Sequence, residues 1–502
     1  MSEPIAGMVA RPSQDFRQSS AVILTRMTEG EIEILLGLRS ATMPIFASYW
    51  AFPGGGSSRS DRAAAELLGW SDQVALQRIT CLREMIEEVG WVPLKDGVQT
   101  CDPKLRRRLM DERGAIPELL ASIHGLDGER LQWFGERFTP PIAPLRFHNT
   151  WFTLLVNNEL ELPEAGDELT EFRWMRPEQA MEDWRSGEIL IPPPIVQALR
   201  AFETAQQQLN DCEAITTKAS QLAVLHEPPR IEFAWPVECI PLPTHTLPPA
   251  THTNAYLLGI PGSGGLLIDP TVQDDEAEEI LALCVRRFEE AGGNIERVII
   301  SHRHSDHIPD MKRLRRITNA TIAASATTLQ SLGLEGEVLQ DGQEIKTGGV
   351  GSETWSVLET PGHCDGHICL IGSAGIFVGD MMAGVGTILI GDDGDMGVYL
   401  EQLGRLQNLD AKLAFPSHGP VIANPSQKLA ELIQHRRERE ESILRVLKDV
   451  DGDVHELRDI VYADTPGADP SLALMQILSH LASLEKSGSV RRDQGRWMLC
   501  GQ

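Results

Sequence analysis

The sequence predicts a multidomain chain of α/β and α+β class, on three observations. Its 502 residues exceed what one core holds, at roughly 100–200 residues per domain. In both halves, short apolar runs ending in glycine, proline or ligand-type residues alternate with amphipathic stretches of helical period. Hydrophobic residues (42 %) and charged residues (23 %) stand in ordinary globular proportion. The expected division is a first domain over 15–204, a linker over 205–230, a second domain over 231–425 and a helical tail over 426–502.

Bulk properties narrow the class further. No apolar run approaches the ~20 residues of a spanning helix. The opening MSEPIAGMVARPSQDF has neither a basic start nor a long apolar stretch. No membrane partner and no secretory signal are therefore expected. A formal charge of −27 repels polyanions at long range and argues against general nucleic-acid binding. The eight cysteines are scattered without a C-x-x-C pair, as in a reducing, cytoplasmic setting. Small-molecule substrates are the expected partners; composition says nothing about oligomeric state.

In the first domain, Ala21–Leu24 and Ile32–Gly37 read as strands around the turn Thr28-Glu29-Gly30. An aromatic strand end, Tyr49 to Phe52, runs into Pro53-Gly54-Gly55-Gly56. Ala75 to Val89 has helical character, and there Glu84, Glu87 and Glu88 stand at i, i+3 and i+4, on one helical face. Such like charges repel unless a hard divalent cation turns repulsion into coordination. The stretch Arg83-Glu84-Met85-Ile86-Glu87-Glu88-Val89-Gly90-Trp91, with Phe52-Pro53-Gly54-Gly55 before it, resembles the signature of the Nudix hydrolases. That resemblance implies an αβα sandwich hydrolysing nucleoside diphosphates linked to another moiety. It assigns Glu84, Glu87 and Glu88 to Mg²⁺ or Mn²⁺, with Glu87 and Glu88 in the catalytic step, and Arg83 to an ion pair buttressing the helix. The chain departs from the pattern by inserting Ser57 to about Gly69 and by carrying Ala75 where a Glu is usual. In this it is similar to the coenzyme A diphosphatase branch, and a ligand-sensing role for the domain stands beside the catalytic one.

The second domain centres on Ser301-His302-Arg303-His304-Ser305-Asp306-His307, which follows the apolar run Val298–Ile300. Three His and an Asp at H-x-H-x-D-H spacing on a strand-end loop are the donors a metal site needs. His363, Asp380 and His418 each follow a further apolar run and adjoin glycine or proline, making seven donors on one rim of a sheet. The order H-x-H-x-D-H, H, D, H resembles the metallo-β-lactamase-fold hydrolases, which implies an αββα sandwich. By that resemblance His302, His304 and His363 hold one zinc, Asp306, His307 and His418 the other, and Asp380 bridges. An Asp at the bridging position points to the glyoxalase II-like and ribonuclease-like side of the family. Two ions sharing a water lower its pKa towards neutrality, which suits hydrolysis of an ester or thioester. Asp306 or Asp380 is the proton relay. His367 is a candidate contact to substrate or to a ligand, with a purely structural role standing beside it, and Cys364 reads as a small apolar filler.

Asn424-Pro425 starts a tail helix. Helical segments near Val454–Ala463 and Ser471–Lys486 follow, then a hairpin around Asp493-Gln494-Gly495. Helices before a basic hairpin are similar to a small winged-helix domain. The functional reading of such a tail is nucleic-acid contact through Arg491, Arg492 and Arg496, beside that of a structural module packed over the metal-site entrance. Separately, the resembled branch includes an endoribonuclease, which is the alternative activity for the second domain.

Overall fold

A computed structural model describes residues 16–43, 45–223, 230–349, 353–463, 465 and 467–500. The leader and the proline break at 226–229 lie outside these residues. The chain forms two compact units, the first running to Pro140 and over Leu145–Trp235, the second from Pro236 onward.

In the first unit, strand Arg17–Thr28 is flanked by Glu31–Arg39, antiparallel, and by Phe147–Leu155, parallel. Strand alternation sorts its side chains onto two faces. Val22 and Leu24 meet Ile79, Leu82, Ile86 and Val89 on one side. Ala21 and Ile23 meet Met181, Trp184, Leu199 and Phe202 on the other. Three layers, α/β/α, result. The insertion after Gly56 is a helix, Arg59–Leu67, begun by a capping box in which Ser58 and Asp61 exchange hydrogen bonds.

Two expectations need correction here. The helix from Ala75 is α-helical only to Glu84, and Met85–Val89 closes a π turn that ends on Gly90 at φ 77°. The π turn lies within the stretch that carries Glu84, Glu87 and Glu88, which was expected as continuous α-helix. The stretch expected as a linker from 205 is also structured. Cys212–Leu222 is a helix capped by Asp211, burying Cys212, Ile215 and Ala219 in the core of the first unit.

The second unit stacks two sheets. One contains, in spatial order, Val237–Pro243, His252–Gly259, Gly264–Ile268, Asn294–Ile299, Thr321–Ser325 and Glu337–Leu339. The other runs Glu344–Lys346, Thr354–Glu359, Ile368–Gly372, Gly375–Gly379, Leu413–Pro416 and Ile422–Ala423. Between them Tyr256 meets Phe377 and Phe415 edge-on at 5.4 and 5.7 Å. Helix Asp275–Glu290 covers the first sheet through Leu281, Val285 and Phe288. Helices Met396–Gln407 and Pro425–Val446 cover the second through Leu403, Leu406, Leu429 and Leu432. The layering is αββα.

The tail helices Val454–Val461 and Pro470–Lys486 and the hairpin Val490–Asp493/Arg496–Leu499 form where expected. They share a core of Ile443, Leu457, Ile477, Leu481 and Trp497. This tail belongs to the same compact unit as the two sheets. No helix among the described residues is long and apolar enough to cross a membrane.

Candidate metal centre

Every donor of the second unit sits just past a strand. Asn294–Ile299 leads to His302, His304, Asp306 and His307; Thr354–Glu359 to His363; Gly375–Gly379 to Asp380; Leu413–Pro416 to His418. Their ligand atoms gather into overlapping clusters, His302/His304/His363, His302/His307/Asp380 and Asp306/His307/His418.

The outward-facing nitrogens fix the tautomers. Asp269, buried at the end of Gly264–Ile268, accepts from the Ser301 backbone N–H (2.7 Å), the Ser301 hydroxyl (2.6 Å) and His307 Nδ1–H (3.0 Å). Ser301 Oγ, its proton given to Asp269, accepts from His302 Nδ1–H at 3.0 Å. His363 Nδ1–H donates to the Leu389 carbonyl (3.0 Å), His418 Nδ1–H to the His252 carbonyl (3.1 Å) and His304 Nε2–H to Asp393 (3.1 Å). Each ring therefore turns inward the nitrogen that its outer hydrogen bond leaves free. His304 Nδ1 lies 3.1 Å from His302 Nε2 and 2.8 Å from His363 Nε2. Three converging lone pairs repel unless a cation lies among them.

The second cluster carries the same signature. His307 Nε2 and Asp380 Oδ1 are buried and lack hydrogen-bond partners, yet stand 3.5 Å apart. His418 Nε2 lies 3.5 Å from Asp380 Oδ1 and 3.5 Å from Asp306 Oδ2. The other Asp380 oxygen faces His363 Nε2 at 3.6 Å. One carboxylate thus presents one oxygen to each half of the centre. An imidazole and carboxylate donor set with orphaned, convergent atoms fits divalent transition ions.

Charge separates the two halves. Burial holds His302 well below the usual imidazole range and His363 down to about 4, so both are neutral and ready to ligate. At His307 and His418 burial is outweighed by the Asp380 carboxylate, and both hold protons to higher pH than a free imidazole. A cation must displace those protons. Lowering the pH is therefore expected to empty the Asp306/His307/His418 half first, leaving one bound equivalent before none. Metal content after dialysis across a pH series measures this, and simultaneous loss of both equivalents would refute it.

Sequence reasoning missed Asp269 and Asp393. Asp269 ends an apolar run before Pro270, the same signal that marks the ligands. Asp393 lies in Gly391-Asp392-Asp393-Gly394 and carries no signal that separates it from an exposed acidic turn. Replacing Asp269 by Ala is expected to weaken one equivalent about 10- to 100-fold, measurable by metal competition. His367 is buried with its roles settled: Nε2 accepts the Asp380 backbone N–H at 3.1 Å, and Nδ1–H faces Thr360 Oγ1 at 2.8 Å. It positions Asp380. Cys364 is buried beside this centre, its thiol pushed up to about 12 by burial.

In the first unit, Arg83 is buried among carboxylates. It pairs bidentately with Asp61 (2.7 and 3.0 Å) and donates to Glu84 (2.8 Å), Glu87 (3.2 Å) and the Gly56 carbonyl (3.0 Å). Asp61, inside the insertion, carried no expectation from the sequence. Glu88 accepts the Gly54 N–H at 2.8 Å, and a Cβ on Gly55 would collide with the Glu84 carboxylate. Glu87 instead receives both oxygens' bonds from Arg113, each 2.9 Å. Glu84, Glu87 and Glu88 therefore do not converge into a three-donor cluster, and each lies in or against the glycine loop or its arginines. Burial, opposed by Arg83 and reinforced by Glu87, lifts Glu84 to about 7, and burial with Glu84 lifts Glu88.

In the tail hairpin, Arg496 is tied to Glu456 at 2.9 Å and to the Asp451 carbonyl, and Arg492 lies over the Trp497 ring. Arg491 is exposed.

Comparison with known proteins returns the family model described as "Metallo-beta-lactamase superfamily" over residues 248–418. A beta-lactamase-like protein 2 homolog of Caenorhabditis elegans is 32 % identical over 248 residues, 47 % of this chain and 80 % of that protein. An atrochrysone carboxyl ACP thioesterase of Aspergillus fumigatus is 30 % identical over 200 residues, 39 % of this chain and 60 % of that protein. Among solved structures, a NUDIX hydrolase from Alicyclobacillus acidocaldarius shows 25 % identity at a TM-score of 0.36, covering 41 % of this chain and 97 % of that one. With its donors gathered on one rim of an αββα sandwich, and most of a curated relative's length matched, the chain belongs to the metallo-beta-lactamase superfamily and is a metal-dependent hydrolase.

Proposed function

We propose that the second unit is a dinuclear zinc hydrolase acting on an ester or thioester. The observation that carries the reading is Asp380, whose two oxygens face opposite halves of the donor set. His302, His304 and His363 would hold one ion, Asp306, His307 and His418 the other, with Asp380 between them. When bound, such a pair supplies hydroxide at neutral pH and polarises the scissile carbonyl. The chain's part is orientation: Asp269, Asp393 and the Leu389 and His252 carbonyls keep the lone pairs inward, and His367 holds the Asp380 backbone. Asp306, whose side chain is 17 % exposed against 10 % for Asp380, would be the carboxylate that exchanges a proton with substrate and solvent. Similarity to proteins named as acyl-carrier thioesterases supports the thioester class.

For the first unit we propose a Nudix-type diphosphatase for nucleoside diphosphate-linked substrates, coenzyme A derivatives among them, with Mg²⁺ or Mn²⁺ at Glu84 and Glu88 and Glu87 facing Arg113. Two buried carboxylates that share a glycine loop and resist ionisation are relieved by a hard cation. The test is a panel of acyl-coenzyme A thioesters, simple esters, nucleoside diphosphate conjugates and single-stranded RNA, given to the intact chain with Zn²⁺ and Mg²⁺. Thioester cleavage lost in Asp380→Ala, and diphosphate cleavage lost in Glu88→Gln, are expected. Cleavage of RNA with thioesters untouched would overturn the first assignment, and no diphosphate cleavage by the wild type would overturn the second.

A further inference from the structure

The tail helices reach the metal centre through one loop. Residues 388–395, between strand Gly375–Gly379 and helix Met396–Gln407, grip two of the inward-facing imidazoles. The Leu389 carbonyl accepts from His363 Nδ1–H, and Asp393 accepts from His304 Nε2–H. At its far end the loop is seated on the His363 strand end: Asp395 N–H donates to the Gly362 carbonyl at 2.8 Å, and Gly394 packs so closely on the Gly362 and His363 carbonyls that no Cβ would fit.

What holds the loop's near end comes from the tail. Arg436, on helix Pro425–Val446 and 3 % exposed, donates to the Ile388 carbonyl at 2.5 Å and to Thr387 Oγ1 at 3.3 Å. Gln476, on helix Pro470–Lys486 and 2 % exposed, donates to the same carbonyl at 3.0 Å, and its own carbonyl oxygen accepts from Arg436 at 2.8 Å. Lys486 reaches Asp395 at 2.5 Å, but from an exposed rim where an ion pair contributes little. A buried guanidinium and a buried amide on one carbonyl, one residue before the carbonyl that orients a metal-facing histidine, is a costly arrangement unless it fixes a position.

We infer that Arg436 and Gln476 are positioning residues for the His302/His304/His363 half of the centre, so that the tail is a built-in brace for one metal site. The inference rests on the two-ion reading. Ile388 held in place sets Leu389, and with Asp393 the loop turns His363 and His304 so that their lone pairs meet that of His302. Nothing in the tail reaches His307 or His418 by a comparable route among the described residues.

The test uses the full chain and the divalent ion alone, read by competition with a chromophoric chelator and by Co²⁺ absorption. The wild type is expected to bind two equivalents that persist in Glu88→Gln, a variant that removes any ion taken up by the first unit. In Arg436→Met one equivalent weakens about 10- to 100-fold while the other keeps its affinity, and Arg436→Lys recovers part of the loss. In a cycle with His363→Ala, the two losses are not additive. Should Arg436→Met fail to fold by near-ultraviolet circular dichroism, Gln476→Leu carries the same expectation. Unchanged affinities in a folded variant, or equal weakening of both equivalents, would overturn the inference. A wild type that binds fewer than two equivalents would instead sink the two-ion reading.

Discussion

Replacing Asp380 by alanine is expected to lower the kcat/KM of hydrolysis about 10³-fold, the scale of losing a preorganised electrostatic contact at the reacting centre. Asp380 faces His307 and His418 through Oδ1 and His363 through Oδ2. Its removal would take away a carboxylate that faces both halves of the donor set. The same variant is expected to retain less than two equivalents of metal. Steady-state kinetics and metal analysis on one preparation check both effects. Full activity with two metals retained would show that the carboxylate does not join the sites.

The second large effect concerns stability. Arg83→Met is expected to destabilise the first unit by about 3–5 kcal/mol, the usual consequence of stranding a buried charge. Its partner Asp61 is 0 % exposed, and its bonds to Arg83 and to the Ser58 cap are all internal. Losing Arg83 also frees Glu84, Glu87 and the Gly56 carbonyl, so the glycine loop loses its tie to the helix. Asp61→Asn should cost less, because the amide keeps a hydrogen bond to the guanidinium while removing the charge. Urea unfolding of both variants measures this, and a loss below about 1 kcal/mol in Arg83→Met would place the ion-pair cluster among surface contacts.

How far the residues alone led depended on where the constraint lies. The seven donors of the second unit were legible because each lies in a loop just past an apolar strand, and such loops deliver side chains to one rim. The groups that aim them were not. Asp393 looks like any acidic turn until the fold brings it to His304, and the Leu389 carbonyl has no side-chain signature at all. Glu84, Glu87 and Glu88 were read on ideal α-helical geometry, and neither the π turn at Met85–Val89 nor the pairing of Glu87 with Arg113 carries a signal in the sequence. Asp61 was hidden in an insertion that reads as a loop; its capping box with Ser58 was the available signal. The helix at Cys212–Leu222 was also available. Cys212, Ile215 and Ala219 stand at i, i+3 and i+7, a buried stripe that a polar surrounding sequence disguised as a linker.

The most direct measurement of the central claim is a titration of metal-free protein with Zn²⁺ while thioester turnover is followed. Two equivalents bound by the second unit, counted in a Glu88→Gln background, with turnover rising as the second one enters and absent when His302→Ala is added, is the predicted result. Full turnover at one equivalent, or turnover that survives His302→Ala, would contradict a two-metal centre built on Asp380.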